Sequence, residues 1–197
     1  MDKLKVKRFR NLRDHDIQYS RIRRGSVITF GTGNECWYGS IQIVELTFDD
    51  GEDQAALVGV ANTVRGSFLY SPPHYDGPRT QAAVTGGTVS ALRNGNQMKI
   101  TGLPDGYKLV RGDYFSYVDG NGFERLHQLL SAGTAGTDGE TGWFDVFPGY
   151  YAGAVGLAVE LARPVCRAKV TSADYGEGDF QTDTFSETSF EWEQVFA

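Results

Sequence analysis

The sequence predicts a mainly β protein: a β-sandwich or split-barrel core with one short α-helix, into which a small β-barrel domain is inserted. Three observations lead there. Short runs of apolar and β-branched residues recur along the 197 residues, separated by turn-forming pairs such as Asn94-Gly95 and Asp119-Gly120. Three of the six prolines crowd into Ser71–Pro78, a stretch that cannot continue a central strand and so marks a boundary. One segment alone carries helical period: Leu57, Val60, Ala61 and Val64 stand at i, i+3, i+4 and i+7.

Taken in order, Met1–Arg24 reads as an extended or hairpin-like start, with Leu4, Val6 and Phe9 alternating. Ser26–Phe30 is a strand and Gly31–Asn34 a turn. Cys36–Thr47 is rich in Trp, Tyr, Ile and Val, which suits a partly buried strand. The helix follows. Asp49 or Asp50 caps it by accepting bonds from the first-turn amides, and Gly66 after Arg65 supplies a left-handed stop. Burial of Leu57, Val60 and Val64 contributes roughly 1.5–3 kcal/mol each, enough to dock a short helix. Ser67–Tyr70 returns as a strand. The core domain is thus expected over 1–75 and 163–197, and the inserted barrel over 76–162.

Within the insert, strands are expected at Ala82–Thr85, Thr88–Leu92, Gln97–Thr101, Tyr114–Val118, Glu124–Leu130, Gly142–Phe147 and Gly156–Leu161. Ser131–Gly142 is a low-complexity run that reads as an exposed hairpin tip. Tyr107, Tyr114, Phe115, Tyr117, Phe123, Phe144 and Phe147 are expected to fill the interior. Trp143, Tyr150 and Tyr151 are the candidates for an exposed aromatic platform for a sugar ring or a partner protein. The terminal Phe190–Phe196 alternates apolar and acidic residues, as an edge strand with its polar face toward water or a neighbour.

Charge is asymmetric. The net value is −6, which argues against a general nucleic-acid binder. Yet nine of the nineteen basic residues precede Gly25, and from Thr171 onward seven acidic residues occur without a single Lys or Arg. Two solvated faces, or pairing of the two ends within one chain, is the plain reading. The sharper reading is complementarity between neighbouring copies, with Arg8, Arg10, Arg21, Arg23 and Arg24 meeting Glu187, Glu191 and Glu193. A basic arm on nucleic acid is the third, though it lacks an aromatic stacking platform.

No residue pattern demands a reaction. His15 lies in a polar turn without further ligands nearby, and His74 lies in the proline-rich boundary. Alternation places His127 opposite Leu126, on a partly exposed face. Asp119–Glu124 imitates the start of a calcium loop, but Phe123 and Leu130 occupy two ligand positions, so it reads as a hairpin turn. There is no Gly-x-Ser-x-Gly elbow and no phosphate loop, and neither an enzyme nor a cofactor is expected. Cys36 and Cys166 belong to no ligand-spaced cluster and are expected as buried thiols, with a disulfide between them as the alternative. No run approaches a membrane span, and the first residues lack the apolar core of a signal peptide.

Several short patterns together carry a resemblance. Trp37-Tyr38-Gly39-Ser40, the Ala55–Gly66 segment ending in Arg-Gly, and Ser67-Phe68-Leu69-Tyr70-Ser71-Pro72 resemble the distal tail proteins of long-tailed bacteriophages. Gly112-Asp113-Tyr114-Phe115, Phe147-Pro148, Arg163-Pro164-Val165-Cys166 and Phe190-Glu191-Trp192 continue it across most of the chain. The resemblance implies a structural virion protein, assembled in the host cytoplasm. It implies a homo-oligomeric ring, of six copies, joining the tail tube protein to the tail tip and hub proteins. DNA would pass through the ring without specific binding, and no membrane is involved. A carbohydrate-binding β-module of a tail or surface protein is the alternative, using Trp143, Tyr150 and Tyr151. A tail-associated hydrolase would need an acid, base or metal that the residues do not supply.

Overall fold

A computed structural model describes residues 17–21, 27–31, 36–43, 46–47, 67–73, 75–150, 153–171, 184–185 and 188–195. Among these, the regular elements are strands in antiparallel sheets, so the chain is mainly β. The helix expected over Asp49–Gly66 lies outside the described residues. In chain order the strands are β1 (Ile17–Arg21), β2 (Val27–Gly31), β3 (Tyr38–Ile43), β4 (Leu46–Thr47), β5 (Phe68–Tyr70), β6 (Thr88–Arg93), β7 (Gln97–Thr101) and β8 (Lys108–Leu109). They continue as β9 (Tyr114–Val118), β10 (Glu124–Leu129), β11 (Gly133–Thr134), β12 (Phe144–Phe147), β13 (Cys166–Val170), β14 (Thr184–Phe185) and β15 (Thr188–Gln194).

The chain divides into two compact units. The first draws on Cys36–Leu69 and Arg167–Val195, and the second on Tyr70–Cys166 together with the segment Asp14–Glu35. The second therefore takes in the β1–β2 hairpin, in which Ile17 faces Gly31 and Arg21 faces Val27.

The first unit is built on a four-stranded sheet in the order β3-β15-β13-β5, beside a short β4–β14 pair. Alternation on β13 buries Cys166, Ala168 and Val170 and turns Arg167 and Lys169 the other way. On β15 the alternation buries Trp192 and Gln194, leaving Glu191 exposed and Glu193 half-buried on the opposite face. Trp192 pairs with Gly39 on β3 and with Val170 on β13, and Phe68 meets its indole edge-on at 6.4 Å. The Trp-Tyr-Gly motif thus sets a residue without a side chain opposite the largest one in the sheet. Gln194 fixes Trp37, whose carbonyl accepts from the Gln194 amide at 2.7 Å. The expected edge position of Phe190–Phe196 is corrected here: β15 is hydrogen-bonded on both sides, between β3 and β13. Alternating polarity reports which faces of a strand differ, and says nothing about its two edges.

The second unit holds a five-stranded sheet in the order β6-β7-β12-β10-β9. Its two outer strands are bridged by one segment. Val89 of β6 donates to the Leu157 carbonyl at 3.0 Å, and Ser116 of β9 exchanges both bonds with Glu160 at 3.0 and 2.8 Å. Residues 157–160 therefore link the outer strands of the sheet, and hydrogen bonds to Val89, Ser116 and Gly87 satisfy backbone groups there. Inside lie Val89, Met98, Ile100, Leu109, Phe115, Tyr117, Leu129, Phe144, Val146, Val159 and Leu161. The three-residue β6–β7 loop, Asn94–Asn96, has positive φ at Asn94 (57°) and Gly95 (79°), the left-handed conformation that Asn and Gly tolerate.

Four local expectations need correction. Ala82–Thr85 forms no strand, and Gly156–Leu161 contributes bridges at Ala158 and Glu160 in place of a continuous strand. The Asp119 turn places its positive φ at Gly122 rather than Gly120, because Asp119 Oδ1 accepts from the Asn121 and Phe123 amides and winds the turn around itself. Ser131–Gly142 is more than an exposed tip. Gly133 and Thr134 pair with Leu109 and Lys108, Ala135 and Thr141 are buried, and the Thr141 hydroxyl accepts from the Ile100 amide. Small residues there permit close packing: a Cβ on Gly133 would stand 2.9 Å from the Phe144 ring.

Finally, His127 is buried, at 3% exposure. It pairs with Phe115 across β9 and so shares the interior face with Arg125 and Leu129. Leu126 occupies the outer face and is also buried, so alternation could not separate an inside from an outside.

Candidate functional site

The expected inter-subunit residues are only partly placed. Arg8, Arg10, Arg23, Arg24 and Glu187 lie outside the described residues, and Arg21 ends β1. Glu191 is exposed on β15. Glu193 sits opposite Lys169 on β13 and accepts from the Cys36 thiol at 3.3 Å. The outer face of this sheet therefore alternates acidic Glu191 and Glu193 with basic Arg167 and Lys169. Cys36 and Cys166 are each buried free thiols, as expected.

The aromatic candidates converge on the second unit. Tyr151 lies outside the described residues. Tyr150 packs against the core, and its hydroxyl accepts from the Gly95 amide at 3.0 Å, so it clamps the β6–β7 turn. Trp143 is half-buried just before β12. The Arg93 guanidinium lies 4.4 Å from its ring centroid and the Lys99 ammonium 5.3 Å away, both within cation–π reach.

A polar network holds these cations in place. Gln97 accepts from Arg93 Nε at 3.0 Å and from Asn94 Nδ2 at 3.2 Å, while its own amide donates to Asp145 Oδ1 at 3.0 Å. Asp145 Oδ2 accepts from the Ser131 hydroxyl at 3.1 Å. On the other flank, Lys99 donates to Glu140 Oε2 at 2.6 Å. The Lys99 hydrogen bond and charge hold the Glu140 carboxyl below its usual range. Sequence reading named Trp143 but missed Arg93, Lys99, Gln97 and Glu140. The signal was available in part: Arg93 and Gln97 flank the Asn94–Asn96 loop and face each other across it.

A second polar group is interior. Asp119 and Arg125 form a buried ion pair at 2.6 Å. Burial pushes the Asp119 carboxyl up, but the Phe123 amide, the Arg125 guanidinium and the Asn121 amide outweigh it and hold the carboxyl below its usual range. His127 is stacked between Phe115 (5.3 Å) and Tyr117 (5.1 Å). Its Nδ1 donates to the Pro148 carbonyl at 2.8 Å, and Nε2 is buried without a hydrogen-bond partner among the described residues. Burial lowers its pKa to about 4, with the Arg125 charge adding to the effect and the Pro148 bond opposing it. His127 is thus a neutral, packed ring at physiological pH.

Asp113 is wholly buried and structural. It accepts from the Val110 amide and from the Arg79 amide and Nε, while Arg79 also donates to the Arg111 carbonyl. Nearby, Tyr75 donates to the Tyr114 carbonyl at 2.9 Å and stacks edge-on against its ring. Burial, helped by the Asp113 charge, raises the Tyr75 hydroxyl far above the ordinary tyrosine range, so it remains a donor. Among the described residues no group of three or more His, Cys, Asp or Glu is placed to hold a metal ion, and no helix is long and apolar enough to cross a membrane. No family model and no curated protein matches the chain.

Proposed function

We propose that this chain is a structural assembly protein of the distal-tail type: a subunit of a homo-oligomeric ring at the end of a phage tail. In this reading the first unit is a sandwich or split barrel braced by the short helix, and the second is a small inserted barrel. One observation carries it. The strand through which the chain leaves the first sheet, β5, and the strand by which it returns, β13, are immediate neighbours. The 70–166 segment is therefore spliced between adjacent strands of a sheet that both flanks of the sequence complete. That layout supports a core that does one job while the insert does another.

The chemistry of the sheet supports self-association. Among the described residues, β3 and β5 are the outer strands of this sheet. Leu69 of β5 is exposed. Joining β3 of one copy to β5 of the next uses two different edges, and such a heterologous contact closes into a ring when the rotation per copy permits. Six copies around a channel would let DNA pass, and an acidic protein surface would not retain its phosphates.

Light scattering on the purified protein, followed by negative-stain imaging, tests this. A mass near six protomers and a ring with a central hole are expected. The charge complementarity expected between copies, with Arg21 and Arg23 meeting Glu191 and Glu193 of the next, predicts that reversal of both arginines to Glu dissociates the ring, as does high salt. A monomer that remains single at high concentration and in the presence of tail tube protein would remove the proposal.

A further inference from the structure

We propose that the Arg93–Trp143 face of the second unit binds a carboxylated saccharide. This goes beyond ring assembly and does not depend on it. The face presents donors without matching acceptors. Arg93 is exposed, and among the described residues its hydrogen-bond partner is the neutral Gln97, through Nε alone. The terminal guanidinium nitrogens, which form the fork that grips a carboxylate, have no carboxylate among the described residues. The Trp143 indole N–H likewise has no acceptor there, although the ring is half exposed.

The arrangement is held before any ligand arrives. Ser131, Asp145, Gln97 and Arg93 form a hydrogen-bonded series that ends with the guanidinium over the indole. A side chain fixed this way loses less freedom on binding than a free surface arginine. Lys99, by contrast, is already neutralised by Glu140 at 2.6 Å. Arg93 is thus the cation of the face with no carboxylate in contact among the described residues, since Asp145 is engaged by Gln97 and Ser131, and a ligand carboxylate is the group that complements its free nitrogens.

The saccharide character comes from the rest of the surface. The guanidinium stacked on the half-exposed indole makes a composite planar surface against which a pyranose ring can lie, and Asn94, Gln97, Ser131 and Asp145 carry amide, hydroxyl and carboxylate groups in the network that holds it. Bulk attraction is not an alternative, because the chain carries a net charge of −6 and repels polyanions overall.

The test uses the full chain. Of the three tryptophans, Trp37 and Trp192 are buried, so quenching of tryptophan fluorescence reports on Trp143. The protein is titrated with oligomers of galacturonate, mannuronate and glucuronate, with the methyl-esterified galacturonate oligomer, and with polyglutamate, with calorimetry in parallel. At least one free-acid saccharide should give a saturable response that Arg93→Gln weakens by about ten-fold. Glu140→Gln, which releases Lys99, should tighten it. Equal binding of the esterified oligomer, a titration indifferent to Arg93→Gln, or no response to any of the three saccharides overturns the proposal. Equal or stronger binding of polyglutamate also overturns it and assigns the face to an acidic peptide.

Discussion

His127 illustrates how one buried side chain ties stability to pH. Its ring is flanked by Phe115 and Tyr117 and held neutral, with its pKa lowered to about 4 from an ordinary value of 6.5. Above pH 6.5 the ring is neutral whether the chain is folded or not, and it has no effect on the balance. As the pH falls below 6.5, the unfolded chain takes up the proton first, and the folded state loses stability until its own ring protonates near pH 4. The loss amounts to about 3 kcal/mol. Urea midpoints measured from pH 7 to pH 4 should therefore fall, and His127→Phe, which keeps the stack, should flatten that slope. Asp119 acts in a lower window. Its depressed carboxyl contributes stability above its unfolded pKa of about 3.9, lost as the pH falls further. The two groups are consequently separable by titration.

Among the elements, the β6–β7 turn of the second unit is one where sequence and geometry agree. Asn94-Gly95 forms the expected hairpin, and Gly95 has open space around it, so Gly95→Ala meets only the left-handed backbone penalty of about 1–2 kcal/mol. Gly102 differs. Its φ is +81°, and a Cβ there would approach the Gly86 carbonyl oxygen to 2.6 Å, backbone against backbone with no flexible group to yield. Gly102→Ala should thus lower the thermal midpoint clearly further than Gly95→Ala, as calorimetry on the two variants would register. Both glycines look alike in the sequence. Only the close backbone approach at the open end of the β6–β7 hairpin distinguishes them.

For the whole molecule, the question is how far the two units are independent. The apolar cluster of the second unit draws on residues from Val89 to Leu161, with Ala83 and Val84 packed against it. Its sheet edges are joined by residues 157–160, and the preceding segment is fixed by Tyr75 and Arg79. A fragment spanning Tyr70–Cys166 is accordingly expected to fold alone, with one cooperative transition and dispersed amide resonances. A fragment that is molten would show that the rest of the chain, including the β1–β2 hairpin, completes it.

Strand-forming stretches, the Asn-Gly turn and the buried thiols were legible in the sequence because each rests on local chemistry: side-chain branching, tolerance of positive φ, a small apolar sulfur. Trp143 was legible as a candidate for the same reason, a large aromatic ring near a turn. Its cations were not, since Arg93, Lys99 and Glu140 meet it only when β6, β7 and β12 lie side by side. The central place of β15 and the interior place of His127 were decided in the same way. Alternation specifies two faces of a strand, but which neighbours pair with its edges, and whether both faces are covered, depends on segments far away in the chain.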